Sequence, residues 1–327
     1  MLKDNFGRIH DYLRISLTDK CNLRCTYCNP VDLPIGYFAG ATRMSADEID
    51  KIVAVFVQEG VKKIRLTGGE PLVRKDAKEI IERLSKYPVE LAITTNGVFV
   101  HEFIETFQKA GLHSVNVSLD SLDKQRNFSI SGRDEFERVI QNIHLLLTKN
   151  FHVKVNMVVM KNVNHDEIPD FVEWTRHQPV HVRFIEFMPF AGNQWTNEKV
   201  FTYREMLELI SSRYSFSHLP NDKNDTAKKY FVPSHKGTFA IISSMSQPFC
   251  SGCNRMRLTT DGKMKNCLFS RNEIDILKCL RSGHDILPLI RQCLLEKEEA
   301  LGGQFTTVYE DMDASKINNR SMINIGG

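Results

Sequence analysis

The sequence has no hydrophobic run of the length that a membrane-spanning helix requires. Its longest strongly apolar run near the N-terminus is IVAVFV, residues 52–57, which falls far short of the roughly 20 residues needed. The opening segment MLKDNFGRIHDYLRISL carries charges throughout and lacks the uninterrupted apolar stretch of a signal peptide. The sequence therefore predicts a cytoplasmic protein with no membrane partner, in a compartment where thiols stay reduced.

The chain also has little excess charge of either sign. Its 327 residues include 43 Lys and Arg against 40 Asp and Glu, a net charge of +3. So small a surplus does not argue for a nucleic-acid partner, although it leaves room for a local basic pocket. Internal repeats and low-complexity segments are absent as well. The composition, 42% hydrophobic and 25% charged, is typical of a soluble globular protein with one large domain or a large and a small one.

Eight cysteines are present, and in a reducing compartment they are metal ligands or buried residues before they are disulfides. Three of them form the pattern CxxxCxxC in CNLRCTYC, at Cys21, Cys25 and Cys28. A remote His or Cys could complete a zinc site. Alternatively, three thiolates could hold a 4Fe–4S cluster and leave one iron open. The short loop, the spacing and the aromatic Tyr27 favour the cluster.

From residue 11 to about 190, short β-rich segments alternate with helical ones, which indicates βα units and a parallel sheet. A helix is predicted between Ser45, as its N-cap, and Gly60, and another over DEFERVIQNIHLLLTKN. Six strands are predicted, in DYLRISL, KKIRLTG, ELAITTN, HSVNVSLD, HVKVNMVVM and HVRFIEFMPF. Six fall short of the eight strands of a closed barrel.

Polar residues alternate with apolar ones along at least four of these strands. The polar positions are Arg65, Thr67, Thr94, Asn96, Asn116, Ser118, Asp120, Lys154 and Asn156. Parallel strands covered on both faces are almost entirely apolar, so this face is predicted to line a wet cavity. We predict an α/β fold: an incomplete (βα)6 barrel over residues 1–214, then a smaller α+β extension over 215–327. The polar stretch SHLPNDKNDTAKKY is predicted to be a loop or domain seam there.

A second cysteine trio lies in the C-terminal region. Cys250, Cys253 and Cys267 are spaced as CxxC, thirteen residues, then C. Cys279 and Cys293 could in principle add a ligand, but both lie among apolar residues of predicted amphipathic helices and are interpreted as buried thiols. The second trio is therefore also predicted to hold a cluster with an open iron, this time for a substrate.

Two arginines follow the second CxxC. Arg255 and Arg257 alternate about Met256, so on a strand both guanidiniums point to the same side. Such a pair beside a metal site is a natural clamp for phosphate or carboxylate. Three further cations are predicted to face the same cavity: Arg14, Arg65 and Lys154. A cationic chamber in a nearly neutral protein indicates a polyanionic substrate.

Taken together, these motifs resemble those of the radical S-adenosylmethionine (SAM) superfamily. CNLRCTYC matches its cysteine signature, and TGGEP, residues 67–71, is similar to its glycine-rich segment after the second strand. Within that superfamily, the two trios, the RMR segment and the Gly-Gly terminus resemble the enzymes that cyclise GTP in the first step of molybdenum-cofactor biosynthesis. The resemblance covers essentially the whole chain.

The resemblance implies a reaction and its cofactors. A 5′-deoxyadenosyl radical would abstract the 3′ hydrogen of GTP, and the product would be (8S)-3′,8-cyclo-7,8-dihydroguanosine 5′-triphosphate. The implied cofactors are two 4Fe–4S clusters, the first on Cys21, Cys25 and Cys28 and the second on Cys250, Cys253 and Cys267, together with SAM. The implied partners are a second copy in a homodimer, a reduced flavodoxin- or ferredoxin-type electron donor, and cyclic pyranopterin monophosphate synthase, which takes the product.

The resemblance also assigns individual residues by position. SAM contacts fall to Tyr27, Gly69, Ser118 and Met188. GTP contacts fall to Arg14, Arg65, Thr94, Lys154, Arg255, Met256 and Arg257. Catalytic contributions fall to Arg14, Gly326 and Gly327. From its residues alone the INIGG tail lacks apolar anchoring and is expected to fray, whereas the resemblance brings its Gly-Gly end to the active site.

Two other functions fit parts of the sequence. A peptide-modifying radical SAM enzyme would use a fully ligated second cluster for electron transfer, and would not need the paired arginines. A zinc-stabilised RNA-binding protein would place the basic residues on phosphates and show a strong salt dependence. That second alternative leaves the polar strand faces unexplained, so the GTP-cyclising enzyme is favoured over both.

Overall fold

The computed structural model describes residues 1–28, 43–305, 309–313 and 316–326. All six predicted strands are confirmed, and helices separate them. The strands are β1 Tyr12–Ser16, β2 Lys63–Thr67, β3 Glu90–Thr95, β4 Ser114–Ser118, β5 His152–Val159 and β6 His181–Glu186. The helices of this part are α1 Ala46–Gln58, α2 Ala77–Leu84, α3 Val100–Lys109, α4 Lys124–Ser131, α5 Phe136–Thr148 and α6 Ile168–His177.

The C-terminal part adds shorter elements. Its strands are β7 Ser217–His218, β8 Lys228–Phe231, β9 Thr238–Ile242, β10 Arg255–Leu258, β11 Lys263–Lys265 and β12 Ile274–Asp275. Its helices are α7 Tyr203–Ser211, α8 Ile276–Arg281, α9 Leu287–Leu295 and α10 Met322–Ile325. Among the described residues, no helix combines the length and apolar character needed to cross a membrane.

These twelve strands form one sheet in the order β12-β11-β10-β1-β2-β3-β4-β5-β6-β9-β8-β7. β1 to β6 pair in parallel, and β10 and β9 extend the parallel part at its two edges. The other four strands are antiparallel. The prediction of a loop or domain seam over SHLPNDKNDTAKKY is partly wrong, because Ser217 and His218 pair with Phe231 and Tyr230 at the sheet edge.

The boundaries of α1 follow from its ends, as predicted. Ser45 accepts from the backbone N–H of Glu48, and the Glu48 carboxylate accepts from the backbone N–H of Ser45, so the two residues form a capping box. A cap of this kind stabilises a helix by about 1 kcal/mol. Gly60 takes a φ of +99° directly after the helix, a conformation that glycine adopts without steric cost.

Strand β5 shows how the sheet separates a packed face from a polar one. Val153, Val155 and Met157 are fully buried on one face and pack under the helices. Lys154 and Asn156 lie between them and are only half-buried. Burying each large aliphatic side chain contributes about 1.5–3 kcal/mol, so the register of the strand is strongly specified. The polar face that remains borders the site described next.

Candidate active site

The first cysteine trio lies in one short loop after β1. Burial raises the pKa of Cys21 to about 11 and that of Cys28 to about 12, and it raises the pKa of Cys25 well above the ordinary value. The thiols also lie in one another's field, since the charges of Cys28 and Cys21 further raise the pKa of Cys25. Partly buried thiols this close stay protonated unless a cationic group holds them as thiolates. This donor set fits an iron–sulfur cluster.

The glycine-rich segment TGGEP supports this loop from one side. The N–H of Gly69 donates to the Thr18 carbonyl at 2.6 Å, and the N–H of Glu70 donates to the Lys20 carbonyl at 2.8 Å. A Cβ atom on Gly69 would stand 2.5 Å from the Lys20 carbonyl oxygen. Position 69 therefore has to be glycine, because the backbone that leads into Cys21 approaches it too closely for a side chain.

The end of α4 supports the same loop from the other side. Arg24 donates its N–H to the Ser131 carbonyl at 2.8 Å, and Thr26 donates to the Ile130 carbonyl at 3.0 Å. The Tyr27 hydroxyl donates to the Asp120 carboxylate at 2.7 Å. These contacts fix the loop at the carboxyl ends of the parallel strands, the edge where ligands bind in α/β folds.

The four residues predicted to contact SAM lie at one end of the sheet, two at the cysteine loop, one at the end of β4 and one in the neighbouring cavity. Tyr27 and Gly69 lie in and against the cysteine loop, and Ser118 is the last residue of β4. These three positions follow or end β1, β2 and β4, so they share the carboxyl edge of the sheet. Met188, which follows β6, lines the neighbouring cavity. The structure therefore brings all four to the same end of the sheet.

That cavity has a volume of about 310 Å³ and lies on the polar face of the sheet. Seven cations line it: Arg14, Lys63, Arg65, Lys154, Arg183, Arg255 and Arg257. The only carboxylate among its described lining residues is Asp225, which forms an ion pair with Lys229 at 2.6 Å. Thr94 lines the cavity too, as predicted. We call this space the cationic cavity.

Crowding among these cations shows in their pKa values. Burial, and then the charges of Arg183 and Arg65, lower the pKa of Lys154 to about 8. Burial, and then Arg65, lower the pKa of Arg183 to about 9. Burial would raise the pKa of Tyr12, but Arg65 and Arg14 outweigh it and lower the value to about 7. So many cations with little neutralising charge make a site that an anion with several charges would stabilise.

The second cysteine trio borders the cationic cavity, which Cys250, Cys253 and Cys267 all line. Its thiols are close neighbours, because Cys267 and Cys253 both raise the pKa of Cys250, after the larger effect of burial. Burial would also raise the pKa of Cys253, but Arg255 and Lys297 outweigh it and lower that pKa to about 7. This second donor set therefore also fits a cluster.

Neither trio gathers as the ligands of one metal ion. Over residues 1–28 and 43–305 and the two short described stretches beyond, no three His, Cys, Asp or Glu side chains are arranged to hold a single ion. The two remaining cysteines lie elsewhere. Cys279 is half-buried against the core rather than fully buried as predicted, and donates to the Asp285 carbonyl at 3.5 Å. Cys293 is buried as predicted and donates to the Met264 carbonyl at 3.7 Å.

Strand β10 places the paired arginines as predicted, but not the methionine between them. Arg255 and Arg257 both line the cationic cavity, and Arg257 is opposite Arg14 of β1 in register. Met256 lies between them on the other face, where its side chain is fully buried in the hydrophobic core. The structure therefore does not bring the Met256 side chain to the cavity, since successive residues of a strand point to opposite faces.

The chain end reaches the same region. Ile323 and Ile325 are buried, so the expectation that the tail lacks apolar anchoring is wrong. The Gly326 carbonyl accepts from Arg257 Nη1 at 2.7 Å. A side chain at Gly326 would collide with Thr67, so only glycine fits there. Gly327 lies outside the described residues.

Several other residues line the cationic cavity without having been predicted to bind a ligand, among them Tyr12, Lys63, Asn156 and Arg183. Arg183 donates to the Asn156 side-chain carbonyl at 2.8 Å, and Arg65 donates to the Tyr12 hydroxyl at 2.6 Å. Tyr12 and Arg183 each lie two positions from another residue of the same strand face, so the alternation pattern, applied to β1 and β6 as well, would have found them. Lys63 extends the alternation of β2 by one position before Arg65, and Asn156 had already been placed on the polar face.

A parallel-rich α/β sheet with a CxxxCxxC loop after its first strand defines a radical SAM protein. The family model of the Radical SAM superfamily matches residues 15–175, and that of Molybdenum Cofactor Synthesis C matches residues 180–302. The structure of Streptococcus suis SuiB bound to S-adenosylmethionine is similar in fold, with a TM-score of 0.63 at 16% identity over 88% of this chain and 69% of that one.

Sequence relatives narrow the family. The chain is 42% identical to the mitochondrial GTP 3′,8-cyclase of Arabidopsis thaliana, over all of this chain and 84% of that protein. It is also 42% identical to the GTP 3′,8-cyclase of Thermodesulfovibrio yellowstonii, over 86% of this chain and 89% of that protein. Molybdenum cofactor biosynthesis protein 1 of Drosophila melanogaster is 46% identical over 86% of this chain. The chain belongs to the GTP 3′,8-cyclase family of molybdenum-cofactor biosynthesis.

Several relatives are longer than this chain. The chain spans about half the length of the curated relatives from Drosophila melanogaster and Dictyostelium discoideum, at 50% and 52%.

Proposed function

We propose that this protein converts GTP to (8S)-3′,8-cyclo-7,8-dihydroguanosine 5′-triphosphate by radical SAM chemistry. The observation that carries the proposal is the cationic cavity, which is lined by seven cations and bordered by the second cysteine trio. A nucleoside triphosphate has the charge to neutralise such a cavity and a base that can reach the trio. The family membership established above supports the same reaction.

In this proposal the triphosphate lies among the cavity cations. Arg65, Lys154, Arg255 and Arg257 bind phosphate oxygens by charge-assisted hydrogen bonds, and Thr94 adds a neutral donor. Arg14, between Arg65 and Arg257 in the sheet register, is placed to contact either a phosphate or the base. Arg183 and Lys63 belong to the same set. Met256 enters only through its backbone, because its side chain faces the core.

The cofactors fall to the two trios. Cys21, Cys25 and Cys28 would hold a 4Fe–4S cluster that binds SAM, with Tyr27, Gly69, Ser118 and Met188 around the cofactor. Cys250, Cys253 and Cys267 would hold a second 4Fe–4S cluster facing the guanine ring. When bound, the first cluster supplies the electron that cleaves SAM and the second supplies an open iron to the substrate. Gly326, with Gly327 after it, brings tail backbone beside Arg257 during the reaction.

Several finer features belong to the proposal as well. Lining residues of the cationic cavity come from all eight parallel strands, as well as from segments between strands, which supports an incomplete (βα)6 barrel curved around it. A smaller C-terminal region after residue 214 would complete the cavity. The homodimer, the flavodoxin- or ferredoxin-type donor, the synthase that takes the product and the cytoplasmic location remain predictions from the sequence.

The decisive experiment follows one hydrogen atom. The protein is reconstituted anaerobically with iron and sulfide, and then given SAM, reductant and GTP deuterated at C3′. We expect the deuterium in 5′-deoxyadenosine, together with a cyclised nucleotide that separates from GTP by chromatography. GTP deuterated at C2′ is the matched control and should leave 5′-deoxyadenosine unlabelled. Cleavage of SAM without deuterium transfer from C3′ would refute the proposed reaction.

A further inference from the structure

The segment that follows α9 wraps around the second cysteine trio. Lys297 is 4% exposed, and its ammonium group lies 3.8 Å from Cys253 Sγ as a hydrogen-bond donor. The same ammonium donates to the backbone carbonyl of Asn266, the residue immediately before Cys267. One buried cation thus touches one ligand of the trio directly and the backbone next to a second.

The remaining ligand is held by the same segment. The N–H of Leu301 donates to Cys250 Sγ at 3.4 Å. Arg8 donates to the Cys250 carbonyl at 2.9 Å and to the carbonyls of Glu298 and Glu299 at 3.0 and 2.7 Å. Residues 297–301 therefore contact, directly or through Arg8 and Asn266, the whole trio.

Among the residues that the structure describes, no carboxylate pairs with the charge of Lys297. In the part of the chain that the structure describes, its ammonium contacts Cys253 and Asn266 and forms no ion pair with a carboxylate. The carboxylate of Asp4 is bound by Arg8 and His10. A buried ammonium without a counter-ion is strongly disfavoured, so a thiolate on Cys253 is its natural partner.

The first trio has the opposite surroundings. Cys21 accepts hydrogen bonds from neutral donors, the Leu23 N–H at 3.4 Å and the Asn96 amide at 3.8 Å. The nearby charges on that trio are carboxylates, Glu70 beside Cys21 and Asp120 beside Cys25. Cys253 thus has a cation beside it, whereas Cys21 and Cys25 have carboxylates, whose pKa values burial raises to about 7 for Glu70 and about 6 for Asp120.

We propose that Lys297 is a positioning residue for the second cluster: its ammonium pairs with the Cys253 thiolate and raises the reduction potential of the cluster above that of the first. Net charge and hydrogen bonds to the sulfurs set the potentials of such clusters. A cation against a ligand sulfur stabilises the reduced, more negative state. The inference rests on the proposed function, since it requires two clusters.

The test is a potentiometric titration of the reconstituted full chain, with each cluster followed by electron paramagnetic resonance and iron measured in the same samples. In Lys297→Met the second cluster should be about tenfold less reduced at a given potential, a shift of about 59 mV for one electron. Lys297→Arg should retain most of the original potential. The first cluster is the internal reference and should not move.

Lys265 provides a matched control. It is equally buried, at 1% exposure, and donates to the Ser270 carbonyl at 2.6 Å and to the Glu273 carboxylate at 3.4 Å rather than to a sulfur. Lys265→Met therefore removes a buried ammonium without touching a ligand. At a given potential, the ratio of reduced to oxidised second cluster should stay within threefold of that in the unsubstituted protein. A shift equal to that of Lys297→Met would overturn the inference, as would an unchanged potential in Lys297→Met.

The inference stays testable even if Lys297→Met loses the second cluster. If Lys297→Met does not bind it, Lys297→Gln is titrated, because its amide keeps N–H donors but no charge. A lowered potential in that variant, or loss of the cluster in both neutral variants and not in Lys297→Arg, supports the inference, and an unchanged potential overturns it. If the unsubstituted protein binds one cluster only, the proposed function fails and the inference fails with it. Two clusters with insensitive potentials overturn the inference alone.

Discussion

Arg257 Nη1 donates to the backbone carbonyl of Gly326 at 2.7 Å, which ties the end of the chain to a strand 69 residues earlier. Burial, and then the charges of Arg14 and Arg255, lower the pKa of Arg257 well below its usual range. A carbonyl acceptor offsets part of that cost but brings no negative charge. Arg257 is thus at once a tail contact and a cavity cation.

Replacing Arg257 tests its part in the cationic cavity. In Arg257→Ala we expect GTP to bind more weakly by about 1–3 kcal/mol, the range for removing a charged hydrogen-bond donor. SAM cleavage without GTP should be largely preserved, because the first trio lies in a different loop. Anaerobic calorimetry with GTP, and quantification of 5′-deoxyadenosine, give the two readouts.

The matched control is Arg204→Ala, since that side chain on α7 is 86% exposed and pairs with Glu208. It should leave both readouts unchanged, because exposed pairs of this kind contribute little. Unaltered GTP affinity in Arg257→Ala, with cyclisation intact, would remove Arg257 from the phosphate site.

The affinity for GTP should fall as the pH rises through about 8. Lys154 has a pKa of about 8 in the free protein, lowered by burial and then by Arg183 and Arg65. It binds phosphate only as an ammonium, so binding above this pH requires uptake of a proton and becomes less favourable. Calorimetry between about pH 7.5 and 9, where the triphosphate is already ionised, measures the slope.

Lys154→Arg provides the comparison for that slope. A guanidinium has a higher intrinsic pKa than an ammonium, so at this position it should keep its proton to higher pH, and the dependence on pH should be shallower than in the unsubstituted protein. Other groups, Tyr12 among them, titrate in the cavity and will leave some slope. Identical slopes in the two proteins would mean that Lys154 does not bind the phosphates.

Strand periodicity carried much of the site prediction. Arg65, Thr94 and Lys154 were placed on one polar face by alternation alone, and the cavity is built on that face. Arg183 was missed because the alternation argument stopped before β6. For Met256 the same periodicity points away from its arginine neighbours, and the structure agrees with the periodicity.

Other features depend on contacts between distant parts of the chain. Lys297 lies in the charge-rich stretch LEKEEA, where an exposed helix end is the natural expectation, yet it is buried against Asn266 and Cys253. Ile323 and Ile325 are too few to predict a docked tail, because nothing local shows which surface receives them. The pairing of β9 and β10 at the two edges of the parallel part of the sheet is likewise set by tertiary packing.

The tail should loosen when its polar anchor is removed. Arg320 binds Asp261 with two hydrogen bonds, at 2.8 and 3.0 Å, and also contacts Glu273. In Arg320→Gln we expect the segment after residue 320 to open more often, by about 1–3 kcal/mol, and GTP cyclisation to fall with it. Limited proteolysis followed by mass spectrometry measures the opening.

Lys316→Gln is the control for the tail, because its ion pair with Asp313 lies on the surface, where the lysine side chain is 82% exposed. It should be cleaved at the original rate. Equal protection of the tail in Arg320→Gln would show that the buried isoleucines alone hold it in place.

Gly69→Ala should displace the first cysteine loop. The new methyl carbon would stand 2.5 Å from the Lys20 carbonyl oxygen and 2.8 Å from its carbon, and backbone cannot move aside as a flexible side chain can. We expect the first cluster to be lost and the second kept, so iron should fall to about half.

Gly111→Ala is the control, since its Cβ meets nothing within 4 Å. Its φ of +62° should cost about 1–2 kcal/mol of stability without loss of iron. A full iron content in Gly69→Ala would show that the loop tolerates the displacement and that the glycine serves another purpose.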